Sequence, residues 1–155
     1  MSYIATSTGK HIDFVNITPD QICIEDIARG LSNECRFAGQ LESFYSVAQH
    51  SVYVSQIVPP EYALEALLHD AAEAYIKDIP SPLKAMLPDY KAMEKHIEAA
   101  IREKFGLTIV ELGRNAGIDP KKDFPFVGEA HNALDDALHQ VNYVVAIHQH
   151  LLKSL

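Results

Sequence analysis

The chain has 155 residues, which is enough for one domain with a buried core and short for two. Apolar residues make up 48% and charged residues 22%, the proportions of an ordinary globular protein. The formal charge of −8 argues against general binding to nucleic acid or to an anionic membrane. There is neither a membrane-spanning apolar run nor an export signal, and Cys23 and Cys35 lack a CxxC spacing. We therefore expect a cytoplasmic protein with reduced thiols.

The first half of the chain alternates helical patterns with polar connectors. Residues 2–17 read as two short extended runs around a Ser-Thr-Gly-Lys turn, which predicts a small hairpin. A helix-start signal lies at 18–20, and apolar residues at helical spacing continue to about Ser32. After a polar connector, a second helix is predicted over 44–58, with His50 inside it.

Three further helices complete the prediction. One runs from Pro60 to about Asp78, where Pro80 prevents its continuation. The next begins at Pro88 and ends at Gly106, and the last covers about 129–152. The predicted fold class is all-α, with a small N-terminal β-hairpin.

The helix predicted over 60–78 carries a polar cluster within an apolar stripe. His69 and Asp70 are adjacent, and Glu73 follows three to four residues later, so the three would share one helix surface. Burying polar groups without partners costs about 1–3 kcal/mol each. A metal ion would offset that cost by accepting their lone pairs. The other interpretation is a solvated surface run of polar residues.

The order of His50 followed by His69-Asp70 resembles the HD-domain metal-dependent phosphohydrolases. Residues 46–51 (SVAQHS) resemble the family's element around its first histidine, and 67–80 (LLHDAAEAYIKDIP) resemble the His-Asp element of the bacterial 5′-deoxynucleotidase branch. The match continues through PLK at 82–84 and YKAME at 90–94. It covers roughly residues 1–107 and is closest to small prophage-borne members.

The resemblance implies a metal site and two acidic active-site residues. His50, His69 and Asp70 would be metal ligands, a nitrogen and oxygen set that suits Mn²⁺, Co²⁺, Ni²⁺, Fe²⁺ or Zn²⁺. Glu73 would orient or deprotonate the attacking water. Asp78 would protonate or position the leaving oxygen, or hold the sugar, and its other interpretation is a solvated helix end.

Two further residues would contact the nucleotide if the resemblance holds. Arg36 matches the arginine that binds phosphate in those enzymes, and a guanidinium fork suits phosphate oxygens. Phe37 falls where the family has an aromatic residue beside the nucleotide, and could pack on the base or fill the core. Lys84 is better interpreted as an exposed lysine than as a phosphate ligand.

After Leu107 the resemblance changes. Residues 112–126 (LGRNAGIDPKKDFPF) and 129–140 (EAHNALDDALHQ) resemble the C-terminal part of phage DEDDh-type 3′–5′ exonucleases. There His131 and Asp136 would be general base and metal ligand. No strand-borne Asp-x-Glu precedes this segment, so exonuclease activity is not expected. We interpret 1–155 as a single domain in which 108–155 supplies the last helix.

HD enzymes complete their metal site with a second aspartate on a later helix. We predict Asp135 as this fourth ligand, because it lies nearer the apolar side of the last helix than Asp136 and shares a flank with His131. Asp119 competes by its spacing from Asp70, although it precedes Pro120 and favours a turn. The remaining alternative is that no residue completes the site.

The sequence thus predicts a metal-dependent phosphohydrolase that releases phosphate from deoxyribonucleoside 5′-monophosphates. One alternative is a deoxynucleoside triphosphohydrolase of the same fold, which would need more cations around its pocket. Another is a non-catalytic nucleotide- or protein-binding remnant of a gene fusion. We expect a small-molecule nucleotide substrate, no nucleic-acid or membrane partner and, by analogy with the family, a homodimer.

Overall fold

The structure, a computed structural model, describes residues 2–107. The chain divides into two compact units, one formed by 1–49 with 70–106 and the other by 50–69 with 107–155. Within the described part, no helix is both long and apolar enough to span a membrane. The predicted mainly helical fold is confirmed there. The single-domain assignment stays a prediction.

The predicted N-terminal hairpin is confirmed. Strand β1 (Tyr3–Ala5) pairs antiparallel with β2 (His11–Asp13), with Ile4 opposite Ile12. Gly9 has a φ of +84°, a conformation that glycine adopts without strain, and its N–H donates to Thr6 O. Ile12 is fully buried, so the hairpin contributes to the core of its unit.

Helix α1 (Ile24–Asn33) begins later than predicted. The helix-start signal opens only a 3₁₀ turn, Pro19–Gln21, which ends at Ile22 in an extended conformation. Because Ile22 leaves the helical region, the two segments do not merge. Helix α1 buries Ile27 and Leu31. It approaches α4 (Glu73–Ile76) so closely that a Cβ at Gly30 would lie 2.7 Å from Ala74 O.

Asp26 joins α1 to the hairpin turn. Its Oδ1 accepts hydrogen bonds from Ser7 Oγ at 2.8 Å and from the Thr8 N–H at 2.9 Å. Its Oδ2 accepts a third from Thr8 Oγ1 at 2.6 Å. A buried carboxylate is tolerated here because hydrogen bonds satisfy both of its oxygens.

Helix α2 (Val47–Ile57) begins three residues after the predicted start at Phe44. Its first turn is a reciprocal cap, in which the Gln49 N–H donates to Ser46 Oγ and the Ser46 N–H donates to Gln49 Oε1. This Ser-x-x-Gln pattern fixes the helix start and is legible in the sequence. Val54 is buried in this helix, whereas Val52 is exposed.

The described part of the second unit has a small apolar core. It contains the end of α2, a 3₁₀ turn at Pro60–Tyr62 and helix α3 (Ala63–Leu67). The buried members of this core are Val54, Val58, Tyr62 and Ala66, with Ala63 packed against them.

The prediction of one continuous helix from Pro60 to Asp78 is wrong. The chain leaves helix α3 at Leu68, whose φ and ψ are −103° and 8°, and becomes helical again only in α4. Turns occupy 68–72, and several of their hydrogen bonds are of the tighter i to i+3 type, including Glu73 N–H to Asp70 O. The apolar stripe predicted for this helix is buried from Leu68 to Tyr75, whereas Leu64 is exposed. The regular spacing of apolar residues does not reveal that the helix is interrupted over 68–72.

The last long helix of the described part agrees with the sequence. Helix α5 (Ser81–Lys84) is short, and α6 (Pro88–Phe105) begins at the predicted proline. Gly106 ends α6 with a φ of +66°, and its N–H bonds to Arg102 O. Helix α6 buries Ile97, Ala100 and Ile101.

Candidate metal centre

His50 is placed by the capped first turn of α2 and is completely buried. Its Nε2 lies 3.1 Å from Nε2 of His69. The two ring centroids are 5.0 Å apart and the planes are inclined by 60°. The site therefore contains two imidazole rings, those of the fully buried His50 and of His69, whose Nε2 atoms face each other.

His69 interrupts the predicted helix and is oriented by the break. Its Nδ1 lies 2.6 Å from Ala66 O, the carbonyl to which the Asp70 N–H would donate in a continuous helix. Side chains that bond to nearby backbone groups compete with helix formation in this way. Because a carbonyl can only accept, Nδ1 carries the proton and Nε2 presents its lone pair.

The structure brings three of the four predicted metal ligands together. His50, His69 and Asp70 each offer one ligand atom, and these atoms lie within 4.8 Å of one another. The 3.1 Å between the imidazole nitrogens matches the roughly 2.9–3.4 Å expected for two such nitrogens bound at about 2.0–2.1 Å to one ion. The His69 contact with a backbone carbonyl is also typical of metal-binding histidines. The residues therefore fit a divalent transition metal.

Arg36 lies among carboxylates. Its Nη1 is 3.3 Å from Asp70 Oδ2 and 3.5 Å from Asp78 Oδ2. The side chain is only 10% exposed, and it leaves a tight turn, Arg36–Gly39. The interpretation of Asp78 as a solvated helix end is wrong, because its side chain is only 13% exposed. Its roles toward the leaving oxygen or the sugar stay predictions.

Glu73 is buried at the start of α4 with unusual electrostatics. Its Oε2 has no hydrogen-bond partner among the described residues, and Oε1 lies 3.9 Å from Lys84 Nζ. Burial raises the pKa of Glu73 well above its ordinary value, and the charges of Asp70 and Asp78 raise it further. Arg36 and Lys84 partly oppose this rise. Such a carboxyl group holds its proton to a higher pH than an ordinary glutamate does.

Asp78 shares this environment. Burial raises the pKa of Asp78 above its ordinary value and outweighs the opposing charge of Arg36, while Asp70 raises it further. Phe37, the predicted nucleotide neighbour, is half-buried and lies with its ring 5.2 Å from Cζ of Arg36. It has a left-handed φ of 55°.

Sequence reasoning missed the polar residues that support this cluster. Lys84 is not an exposed lysine, because its side chain is 21% exposed and its Nζ lies 2.6 Å from Glu94 Oε1. Burial lowers the pKa of Lys84, but the bond to Glu94 and the nearby carboxylates outweigh this, so the pKa rises. Glu94 ends the YKAME motif, which was a signal for it. Glu34 was missed without any such signal.

The predicted fourth ligand lies outside the described residues. This applies to Asp135 and to its competitors Asp119 and Asp136, as well as to the helix predicted at 129–152. Asp135 therefore stays a prediction.

Comparison with known proteins identifies two matching families. Residues 36–112 match the family model of the YfbR-like 5′-deoxynucleotidases. Residues 82–148 match that of the Rv2179c-like 3′–5′ exoribonuclease domain. The two matches overlap across 82–112, so the change of resemblance is less abrupt than the predicted junction at residue 107.

Two relatives resemble about two-thirds of the chain. YfdR of Escherichia coli (strain K12), an uncharacterized protein, is 63% identical over 107 residues, which are 69% of this chain and 60% of YfdR. An uncharacterized protein of Rhodobacter capsulatus is 36% identical over 113 residues, 66% of this chain and 58% of that protein. The chain thus spans about three-fifths of each relative.

These findings confirm both resemblances: the chain is similar to the YfbR-like 5′-deoxynucleotidases of the HD family around its candidate metal centre, and to a 3′–5′ exoribonuclease domain in its C-terminal half.

Proposed function

We propose that this protein is a metal-dependent phosphohydrolase that releases phosphate from deoxyribonucleoside 5′-monophosphates. The observation that carries the proposal is the group formed by His50, His69 and Asp70. It lies within the segment that matches the 5′-deoxynucleotidase model. Asp135 would supply a fourth ligand from the C-terminal segment.

A divalent cation held by these residues would polarise a phosphoryl oxygen and lower the pKa of water. Glu73 has the properties of a general base toward that water, because its Oε2 is buried and makes no hydrogen bond among residues 2–107. A raised pKa makes the ionised Glu73 a stronger base than an ordinary glutamate. Glu73 would therefore take the proton of the water as the water oxygen attacks phosphorus.

Arg36 and Asp78 would act on the other side of the reaction. The Arg36 guanidinium can hydrogen-bond phosphate oxygens while it stays close to Asp78. As the bond between phosphorus and the 5′ oxygen breaks, a protonated Asp78 can donate its proton to that oxygen. Its raised pKa favours the protonated form that this step needs. The products are a deoxyribonucleoside and phosphate, and Phe37 would pack beside the base.

The charge balance favours a monophosphate over a triphosphate substrate. In the part of the chain that the structure describes, the cations that act on Glu73 are Arg36 and Lys84. Each is already within 4.0 Å of carboxylates, Arg36 of two and Lys84 of two. A triphosphate carries more negative charge than these paired cations would balance.

The test is phosphate release from a panel of deoxynucleoside mono- and triphosphates with added Mn²⁺ or Co²⁺. Replacing Asp70 by Ala should lower kcat by more than about 100-fold, because loss of even a residue that supports a ligand lowers activity about 10–100-fold. Bound metal, measured on the same samples, should fall with it. Asp20→Ala is the matched control, since Asp20 is exposed and removes the same charge.

The other outcomes separate the alternatives. Full activity of Asp70→Ala would show that the ligand assignment is wrong. Preferred cleavage of triphosphates would favour the triphosphohydrolase, and a wild type that neither retains metal nor releases phosphate would favour the non-catalytic remnant. Comparing Asp135→Ala with Asp136→Ala identifies the fourth ligand.

A further inference from the structure

The backbone is strained at the residue before Asp78. Lys77 has a φ of 78° and a ψ of 152°, a combination that is almost confined to glycine. It follows directly on α4, and its N–H still bonds to Glu73 O at 2.9 Å. A lysine persists in such a conformation only where its surroundings hold it there.

Three hydrogen bonds hold this strained segment. The hydroxyl of Tyr90 donates to Lys77 O at 2.6 Å. The carboxylate of Glu34 accepts from the Asp78 N–H at 3.3 Å and from Lys77 Nζ at 2.6 Å. We call Glu34 and Tyr90 the clamp.

Glu34 and Arg36 reach Asp78 from one short stretch of backbone. That stretch is fixed by hydrogen bonds from Val47 N–H to Glu34 O and from Arg36 N–H to Tyr45 O, both 2.9 Å. Glu34 thereby holds the backbone of Asp78, while Arg36 lies 3.5 Å from its carboxylate. The two contacts together fix both the position and the direction of the Asp78 side chain.

We propose that Glu34, assisted by Tyr90, is a positioning residue of the site: it holds the Lys77-Asp78 peptide in its strained conformation and so keeps the Asp78 carboxyl group beside Arg36. The inference rests on the proposed function, because it assigns Asp78 to the reaction. A displacement of about 1 Å can lower the rate about 100-fold, so a residue without substrate contact can matter greatly.

The ion pair with Lys77 is not the important part of the clamp. The Lys77 side chain is 66% exposed, whereas that of Glu34 is 14% exposed. Exposed ion pairs contribute little. The bond to the Asp78 N–H and the conformation of Lys77 therefore carry the inference, and substitutions at Lys77 can separate strain from charge.

The experiment measures kcat and KM for phosphate release. Glu34→Ala should lower kcat at least about tenfold with little change in KM, because it misplaces a group that acts in the transition state. Glu34→Gln should retain most of the activity, since an amide oxygen can still accept from the Asp78 N–H. Should Glu34→Ala fail to fold, Tyr90→Phe replaces it and should lower kcat several-fold.

A rescue distinguishes positioning from a general structural role. Glycine adopts the Lys77 conformation without strain and alanine does not, although both remove the ion pair. Adding Lys77→Gly to Glu34→Ala should recover part of the lost kcat, whereas adding Lys77→Ala should not. Equal activity of the two double variants, or full activity of Glu34→Ala, would overturn the inference.

Failure of the proposed function would look different. If the wild-type protein does not hydrolyse nucleotides, the proposed function is wrong. The catalytic part of the inference is then wrong as well, whatever the variants show. The clamp is then judged from thermal unfolding: Lys77→Gly should melt at a higher temperature than Lys77→Ala, and equal melting temperatures would show that no strain is held at Lys77.

Discussion

Asp26 and Glu73 are two acidic residues with almost equal burial and opposite surroundings. Asp26 is 5% exposed and Glu73 is 6% exposed. The oxygens of Asp26 accept three hydrogen bonds from Ser7 and Thr8. In contrast, Glu73 Oε2 accepts none within the described ranges, and Lys84 Nζ lies 3.9 Å from Oε1.

Their pKa values move in opposite directions for this reason. Burial by itself raises the pKa of Asp26, but the hydrogen bonds from Thr8 and Ser7 together bring it below its ordinary value. For Glu73, burial dominates and the neighbouring carboxylates add to it, so the pKa rises. Burial alone therefore does not distinguish a structural carboxylate from a reactive one, whereas the hydrogen bonds to its charged form do.

The strongest test of this comparison is the loss of the reactive carboxylate. Glu73→Gln keeps the shape of the side chain but cannot accept a proton, so kcat should fall by about 100- to 10,000-fold. The measurement is metal-dependent phosphate release under saturating substrate. Asp26→Asn, the same change at the structural carboxylate, should leave kcat of the folded protein within about twofold. Equal losses of kcat in the two variants would show that Glu73 and Asp26 do not differ in function.

The free energy of unfolding should be affected more by Asp26→Asn than by Glu73→Gln, the reverse of the order expected for kcat. Asp26→Asn should lower the free energy of unfolding by about 1.5–3 kcal/mol at neutral pH, because hydrogen bonds to a charged acceptor are lost. Glu73→Gln should leave it unchanged or raise it, since a poorly satisfied buried charge is removed. Denaturant unfolding in metal-free buffer checks both, and a destabilised Glu73→Gln would contradict the assigned difference.

The pH dependence of stability follows from the lowered pKa of Asp26 and the raised pKa of Glu73. The pKa of Asp26 is lowered on folding, so its stabilisation is present above its ordinary pKa of 3.8 and is lost as the pH falls through the folded value. The pKa of Glu73 is raised, so its contribution is present below its ordinary 4.5 and is lost as the pH rises through the folded value. Relative to wild type, Glu73→Gln should thus gain stability as pH rises, measured by thermal unfolding across the pH range.

The smallest effect concerns the turn that carries Arg36, a cation that acts on Glu73. Ala38 has a φ of 54° in that turn, which is unfavourable for any residue with a Cβ. Ala38→Gly should therefore raise the unfolding free energy by up to about 1 kcal/mol. Activity should be kept, because the position of Arg36 is unchanged. A destabilised variant would show that the turn is not strained at Ala38.

The sequence was sufficient for the parts of the site that local patterns specify. The residue order around His50 and His69-Asp70 predicted a cluster that the structure brings together. Proline and glycine predicted both ends of α6, and two short extended runs around a Ser-Thr-Gly-Lys turn predicted the hairpin. In each case the determining residues are close together in the chain.

The remainder depends on contacts between distant segments. The break in the helix coincides with the contact between the His69 ring and Ala66 O, which helical periodicity does not reveal. Glu34 meets Asp78 across 44 positions of sequence. The position of Lys84 beside Glu94 likewise depends on how α5 and α6 fold back. Long-range pairs of this kind leave no periodic signal in one sequence.

The close approach at Gly30 has a consequence for the rigidity of the reacting groups. Helix α4 has only four residues, too few to keep its shape by its own hydrogen bonds. Its main chain rests directly against α1, where a methyl group at Gly30 would meet Ala74 O at 2.7 Å. The direction of the Glu73 carboxyl group therefore depends partly on the absence of a Cβ atom at Gly30 in α1. An inspection limited to polar side chains would overlook this determinant.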